Sequence, residues 1–241
     1  MCIRDRTYSP YRDLDLGDLH VFDGGDLELP FGNVERALSQ IEEYVSLILK
    51  DNKRPVMIGG EHLVTLGAFR AVYKKYPDVH VIHFDAHADL REDYLGETLS
   101  HATVLRRVWD LVGDHRIFQF GIRSGEKSEF VFAKEHTDFH PFTLNGLRQA
   151  VAAIGDKPVY FTLDLDVLDP SIFPGTGTPE AGGVSFSELI SAFAEMAQLN
   201  IVGCDMNELS PVYDPSGVST AVACKVLREM LLTVGYDKVK K

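Results

Sequence analysis

The feature that most constrains this chain is a change of period, repeated along its length. Beyond residue 30, short apolar runs alternate with segments whose apolar residues recur every three or four positions. FGNVERALSQIEEYVSLILK places Val34, Leu38, Ile41, Val45 and Leu49 on one face of a helix. PVMIGG follows as a short buried strand, and a helix runs through LVTLGAFRAVYKKY. The order continues with strand HVIHFDA, helix SHATVLRRVWDLV, strand HRIFQFGI, helix SGEKSEFVFAKEH and edge strand TDFHPF. Helix LNGLRQAVAAI, strand PVYFTLDLD, helix SFSELISAFAEMAQ, strand NIVGCDMNEL and helix GVSTAVACKVLREMLLTV complete it. Alternation at this pace predicts an α/β fold, a mainly parallel sheet with helices on both faces. With no repeat or linker in view, residues 31–241 are expected to form one domain. Residues 1–30 are rich in Asp and Gly without a period, and are expected to be irregular or a truncated N-terminal segment.

Composition narrows the classes of partner. The 241 residues are 45% apolar and 25% charged, ordinary for a globular chain with material for a core. No run approaches the roughly 18 apolar residues of a membrane span, and MCIRDRTYSPYRDLDLGD has no apolar signal region. A formal net charge of −12 argues against nucleic acid and suits a cationic substrate. Cys2, Cys204 and Cys224 lack metal-type spacing, and Cys204 sits in an apolar strand as a free thiol. A reducing, cytoplasmic setting is expected.

In open parallel sheets, ligands bind beyond the carboxyl ends of the strands. Four of those ends carry polar groups. GGEH offers His62, FDAHAD offers Asp85, His87 and Asp89, TLDLDVLDP offers Asp164 and Asp166, and DMNELSP offers Glu208. In an extended chain, residues at i, i+2 and i+4 share a face, so Asp85, His87 and Asp89 are expected to point the same way. Unneutralised carboxylates resist burial together, which calls for a cation. Mixed imidazole and carboxylate ligands suit Mn, Fe or Zn, and the oxygen-rich set favours manganese. Four carboxylates are too many for one ion that leaves room for substrate, whereas two divalent ions about 3.5–4 Å apart use them.

Each piece alone reads more plainly. A Gly-Gly before a polar residue is usually a turn, and Asp164-Leu165-Asp166 also fits a DxD that holds magnesium against a nucleotide sugar. GTGTPEAGG, residues 175–183, lacks the Gly-Lys-Ser/Thr of a phosphate loop and reads as a turn. The convergence of separate strands on one edge carries the metal reading.

GGEH, FDAHADLR, SHATV, TLDLDVLDPSIFPGTGTPEAGG and NELSPVYDPSG, in that order, resemble the ureohydrolase family of arginases, agmatinases and their relatives. The likeness runs from about residue 55 to the C-terminus. It implies a three-layer α/β/α sandwich, two Mn2+ per chain, and hydrolysis of a guanidino compound to urea and an amine. By motif position, His62, Asp85, Asp89 and Asp164 resemble the ligands of one manganese. Asp85, His87, Asp164 and Asp166 resemble those of the other. His101 matches a proton-shuttling histidine, Asp89 lies near the reacting carbon, and Glu208 matches the acid that holds the guanidinium. Homotrimers or homohexamers are implied as well. So is an opening strand near the middle of the sheet, which is not found, so that a strand is expected to be missing.

Those roles fit the chemistry. A guanidinium is a poor electrophile that stays protonated, so hydrolysis needs a strongly activated water. The departing amine needs a proton, which suits a histidine. A carboxylate offers a guanidinium bidentate hydrogen bonds. The Ser-Gly-Asn segment of arginases is absent, SGEKSEF follows GIR, and YLGETLSHAT resembles agmatinases. The implied reaction is agmatine plus water giving putrescine and urea, with no nucleic acid or membrane involved. Glu92 and Glu97 are candidates for the substrate's distal ammonium. N1-aminopropylagmatine, guanidinobutyrate (met by Arg91 or Arg123) and arginine are alternative substrates. An inactive fragment or pseudoenzyme and a one-zinc deacetylase on a related fold are readings from other classes.

Overall fold

The computed structural model describes residues 6–235, and Cys2 lies outside them. The opening segment forms a small antiparallel pair, β1 (Tyr8–Ser9) and β2 (Leu14–Asp15). A 3-10 turn, Leu16–Asp18, follows, and the described residues are otherwise irregular as far as helix α1 (Val34–Lys50). Asn33 caps α1 by accepting a hydrogen bond from the Arg36 N–H at 3.0 Å. The helix buries Leu38, Ile41, Val45 and Leu49, the stripe that the spacing predicts.

Strand β3 (Val56–Ile58) leads into α2 (Val64–Lys75), which lies against α1. At Gly67 the helices approach so closely that a Cβ would sit 2.8 Å from the Leu38 carbonyl oxygen and 2.9 Å from Ile41 Cβ. The chain continues through β4 (His80–Phe84), α3 (Val104–Val112), β5 (Ile117–Phe120), α4 (Lys127–His136) and β6 (Asp138–His140). It closes with α5 (Leu147–Ile154), β7 (Pro158–Asp164), α6 (Phe186–Met196), β8 (Asn200–Asn207) and α7 (Val218–Val234).

Strands β3 to β8 make a six-stranded sheet in the order β3-β8-β7-β4-β5-β6, with every neighbouring pair parallel. Its faces are covered by different helices. Ile82, Phe84, Phe118, Phe120, Phe161 and Leu163 pack with residues of α5, α6 and α7. Val81, Ile117, Tyr160 and Val202 pack with residues of α1, α2 and α3. This is the three-layer α/β/α arrangement that the alternation and the resemblance imply. Strands buried on both faces read as nearly continuous apolar runs, which is why each could be located in the sequence. Among the described residues the ladder is continuous from β3 to β6. Its borders are β3 and β6, and Ile58 in β3 is 61% exposed. Chain order reverses direction between β4 and β7, the place where an open sheet leaves a crevice beyond its strand ends.

Candidate metal centre

The residues after β4 and β7 line that crevice, and they converge differently from the alternation expected of extended strands. Strand β4 ends at Phe84, and the next residues curl. The Asp85 carboxylate accepts the His87 N–H at 2.6 Å, and Asp89 takes a left-handed backbone with φ 54°. After β7, Asp164 caps a single 3-10 turn, Leu165–Val167, by accepting the Asp166 N–H at 2.8 Å. The shared strand face is therefore replaced by two Asx-type turns, because a carboxylate two residues before a free N–H closes on it. The outcome is tighter than a pleat would allow.

His62 reaches the same point from the loop after β3. Its Nδ1 lies 3.1 Å from Asp85 Oδ2, 3.0 Å from Asp89 Oδ2 and 3.5 Å from Asp164 Oδ2. A second group sits beside it, with His87 Nδ1 3.0 Å from Asp166 Oδ2 and 3.5 Å from Asp85 Oδ1. Asp85 thus gives one oxygen to each group. His62, Asp85, Asp89, Asp164 and Asp166 are all buried, and His87 is partly so.

A buried cage of four carboxylates is costly unless something positive neutralises it. Burial lowers the pKa of His62, but the carboxylates of Asp85 and Asp89, 3.1 and 3.0 Å away, outweigh it and hold the imidazole protonated. Burial also opposes protonation of His87, yet Asp166 and Asp85 push it up to about 11. Asp89 is pushed up to about 7 by burial and by the Asp85 charge, and burial with neighbouring Asp166 raises Asp164. Protons here stand in for cations. His62 Nδ1 and Asp166 Oδ2 are buried without a hydrogen-bond partner, which leaves a ligand atom aimed into each group. These donors fit divalent ions of the oxygen- and nitrogen-preferring kind.

Above the cage opens a cavity of about 320 Å³ lined by His62, His87, Asp89, His101, Asp164 and Glu208, with Asp85 and Asp166 buried behind His62 and His87. His101 starts a 3-10 turn, His101–Thr103, preceding α3, where the sequence suggested continuous helix. Its ring stands 5.5 Å from that of Tyr94, centre to centre. Glu208 follows β8 with a left-handed φ of 66° and accepts the His62 N–H at 2.8 Å. Gly59 makes this fit possible, since a Cβ there would lie 2.1 Å from Asn207 Oδ1. All eight site residues proposed from the sequence therefore meet.

Two other expectations change. Glu92 and Glu97 do not line the cavity, whereas Glu126 and Glu129 do. The signal for them was the SGEKSE stretch, where the capping box of α4 also ties Glu129 to the Glu126 N–H. Arg123 is not a substrate anchor, because its guanidinium donates to the carbonyls of Asp166, Val167, Glu180 and Ala181. Arg91 does line the cavity, but it is paired with Glu126 at 3.3 Å and Glu129 at 3.4 Å.

Known proteins share this architecture. The chain is 50% identical over 231 residues to the agmatinase of Bacillus subtilis (strain 168), covering 93% of this chain and 79% of that one. It is 33% identical over 225 residues to the guanidinobutyrase of Pseudomonas aeruginosa, covering 88% of this chain and 70% of that one. Among solved structures, a provisionally named agmatinase of Clostridium difficile superposes with a TM-score of 0.94 at 53% identity, covering 96% of this chain and 86% of the other. The arginase family model matches residues 2–233, a span that takes in the whole cage and its cavity. With a match of that extent and relatives at that identity, the chain belongs to the arginase family.

Proposed function

We propose that this chain is an agmatinase, hydrolysing agmatine to putrescine and urea as a step of polyamine biosynthesis, with two manganese ions per chain. The observation that carries the reading is the electrostatics of one cavity: a cage of carboxylates at its floor, and acids near its rim that leave its own arginine paired. Such a cavity accepts a molecule cationic at both ends and disfavours one that ends in a carboxylate.

His62, Asp85, Asp89 and Asp164 would hold one ion, and Asp85, His87, Asp164 and Asp166 the other. The oxygen-rich set favours manganese. When bound, the pair supplies Lewis-acid activation of water, bringing its pKa to about 7. The chain's own residues do the rest. Glu208 receives the guanidinium through charge-assisted hydrogen bonds, and the His62 N–H keeps its carboxylate turned to the cavity. Asp89 accepts a hydrogen bond from the attacking water and steadies its approach to the guanidinium carbon. As the carbon–nitrogen bond to the amine breaks, the departing nitrogen takes a proton from His101, which stands at the open side of the cavity and regains one released by the attacking water. Glu126, 59% exposed at its side chain, is placed to meet the distal ammonium.

Residues 31–241 form the catalytic domain in this reading, and residues 1–30 an irregular or truncated N-terminal segment. The segment is tied down where the Ser9 hydroxyl donates to Glu229 of α7 at 2.8 Å. A homotrimer or homohexamer is proposed, with exposed Phe31 and Val212 as apolar surface for an interface to cover. A cytoplasmic setting accords with Cys204 and Cys224 being free thiols. No helix among the described residues is long and apolar enough to cross a membrane.

A kinetic panel on manganese-loaded protein tests the proposal, comparing agmatine, N1-aminopropylagmatine, guanidinobutyrate and arginine by kcat/KM with urea release as the readout. Agmatine is expected to lead. Arginine or guanidinobutyrate in first place would overturn the cavity argument, and no urea from any of them would overturn the activity.

A further inference from the structure

One layer below the cage, on the sheet face covered by α1, α2 and α3, polar side chains interrupt four apolar strands at matching positions. Gln119 in β5 pairs in register with His83 in β4, His83 with Thr162 in β7, and Thr162 with Asp205 in β8. All four are fully buried. A row of polar groups inside a core is unfavourable unless each is satisfied. Here each is satisfied in a way that fixes the next.

The sequence of constraints begins at a backbone carbonyl. Ala88 O lies 2.9 Å from Gln119 Nε2 and can only accept, so that nitrogen is the amide donor. The same nitrogen stands 3.1 Å from His83 Nδ1, which therefore accepts its second hydrogen. A neutral imidazole that accepts at Nδ1 carries its hydrogen on Nε2, and His83 Nε2 is 2.8 Å from Asp85 Oδ2. On the neighbouring strand, Thr162 has one hydroxyl hydrogen, given to Asp205 Oδ1 at 2.6 Å. Its oxygen must then accept from His62 Nε2 at 2.8 Å, which leaves Nδ1 as the atom of His62 that faces Asp85, Asp89 and Asp164. Asp205 is itself held by the Tyr160 hydroxyl at 2.5 Å and the Asn207 amide at 2.8 Å.

We propose that the row Gln119–His83–Thr162–Asp205 is a positioning layer for the metal centre, with His83 aiming Asp85 and Thr162 aiming Nδ1 of His62. Thr162 acts on one half of the cage alone, through His62, whereas His83 acts through Asp85, which the two halves share. Outer hydrogen-bond partners of this kind typically govern metal affinity by about 10- to 100-fold. The inference rests on the two-ion reading above.

The test is calorimetric titration of the metal-free chain with manganese, together with its paramagnetic resonance spectrum and metal-free melting temperature. Wild type is expected to take two ions and show a coupled pair. Thr162→Val is expected to weaken one ion by about 10- to 100-fold, leave the other within about threefold, and replace the coupled spectrum by that of an isolated ion, whereas His83→Phe, acting through the shared Asp85, is expected to weaken both without lowering the metal-free melting temperature. His83→Gln, whose Nε2–H is at the reach of the imidazole Nε2–H, should recover most of the loss. Two ions bound as in wild type by both variants would overturn the positioning role. So would equal weakening of both ions in step with a lower metal-free melting temperature, which marks a purely structural effect. If His83→Phe does not fold, the near-isosteric Thr162→Val decides. Wild type binding no ion pair would instead sink the two-ion reading.

Discussion

Glu208 divides one carboxylate between two tasks. One oxygen takes the N–H of His62, and the group as a whole faces the cavity where a guanidinium would lie. Glu208→Gln keeps the size and one acceptor while removing the charge. A hydrogen bond to a charged group contributes ~1.5–3 kcal/mol, so kcat/KM for agmatine should fall by about 10- to 200-fold, and most of the loss should appear where guanidinium binding is limiting. An unchanged kcat/KM would remove Glu208 from the substrate site. At this scale the sequence was legible wherever a polar residue stood at a strand end, because nothing else in an apolar run explains it. It was less legible for His83, Gln119, Thr162 and Asp205. Each lies inside an apolar strand, in VIHF, IFQF, YFTL and GCDM, and the signal was there as an unexplained polar residue at an inward position. What one sequence does not give is the register that lines them up across four strands. Glu126 was hidden for another reason, since its position at the cavity depends on how the loop after β5 folds back, and periodicity carries no information about that.

Among the elements, the α1–α2 contact shows packing overruling propensity. In a helix interior Ala is favoured over Gly by about 1 kcal/mol, so Gly67→Ala would be stabilising on propensity alone. Against that stand the Leu38 carbonyl oxygen and Ile41 Cβ, both closer to the added methyl than van der Waals contact permits. The helices must separate to admit it, and overpacking of this type costs typically about 1–3 kcal/mol. Gly67→Ala should therefore lower the chemical-denaturation midpoint, with the metal-free and metal-loaded forms shifting alike. A rise in the midpoint would show that α1 is free to move. Helix spacing revealed α1 and α2 separately, but their distance from one another lies in the side chains that touch, and Gly67 was its only trace in the sequence.

For the whole molecule, folding and metal uptake are one equilibrium seen from two sides. Without ions the folded chain must keep protons in the cage. Asp89, raised from 3.8 to about 7, weighs against folding increasingly as pH climbs between those values. His87, raised from 6.5 to about 11, favours folding below 6.5, and that advantage drains away as pH climbs toward 11. Both trends weaken the metal-free form with rising pH, while ligands that must lose protons bind ions better. The gap in melting temperature between manganese-saturated and metal-free protein should accordingly widen from pH 5 to pH 8. At about 100 times its Kd each ion stabilises by ~2.7 kcal/mol, a shift of about 5–10 °C in a chain of this size. A gap that narrows across that range would mean the cage is not where the ions bind.

The sheet itself tapers. Its inner strands β8, β7, β4 and β5 run eight, seven, five and four residues, whereas the borders β3 and β6 have three each. A border that short offers a passing chain only a few unsatisfied amides and carbonyls, too few to template a new strand. The long, water-averse middle is thereby kept from zipping onto a neighbouring molecule.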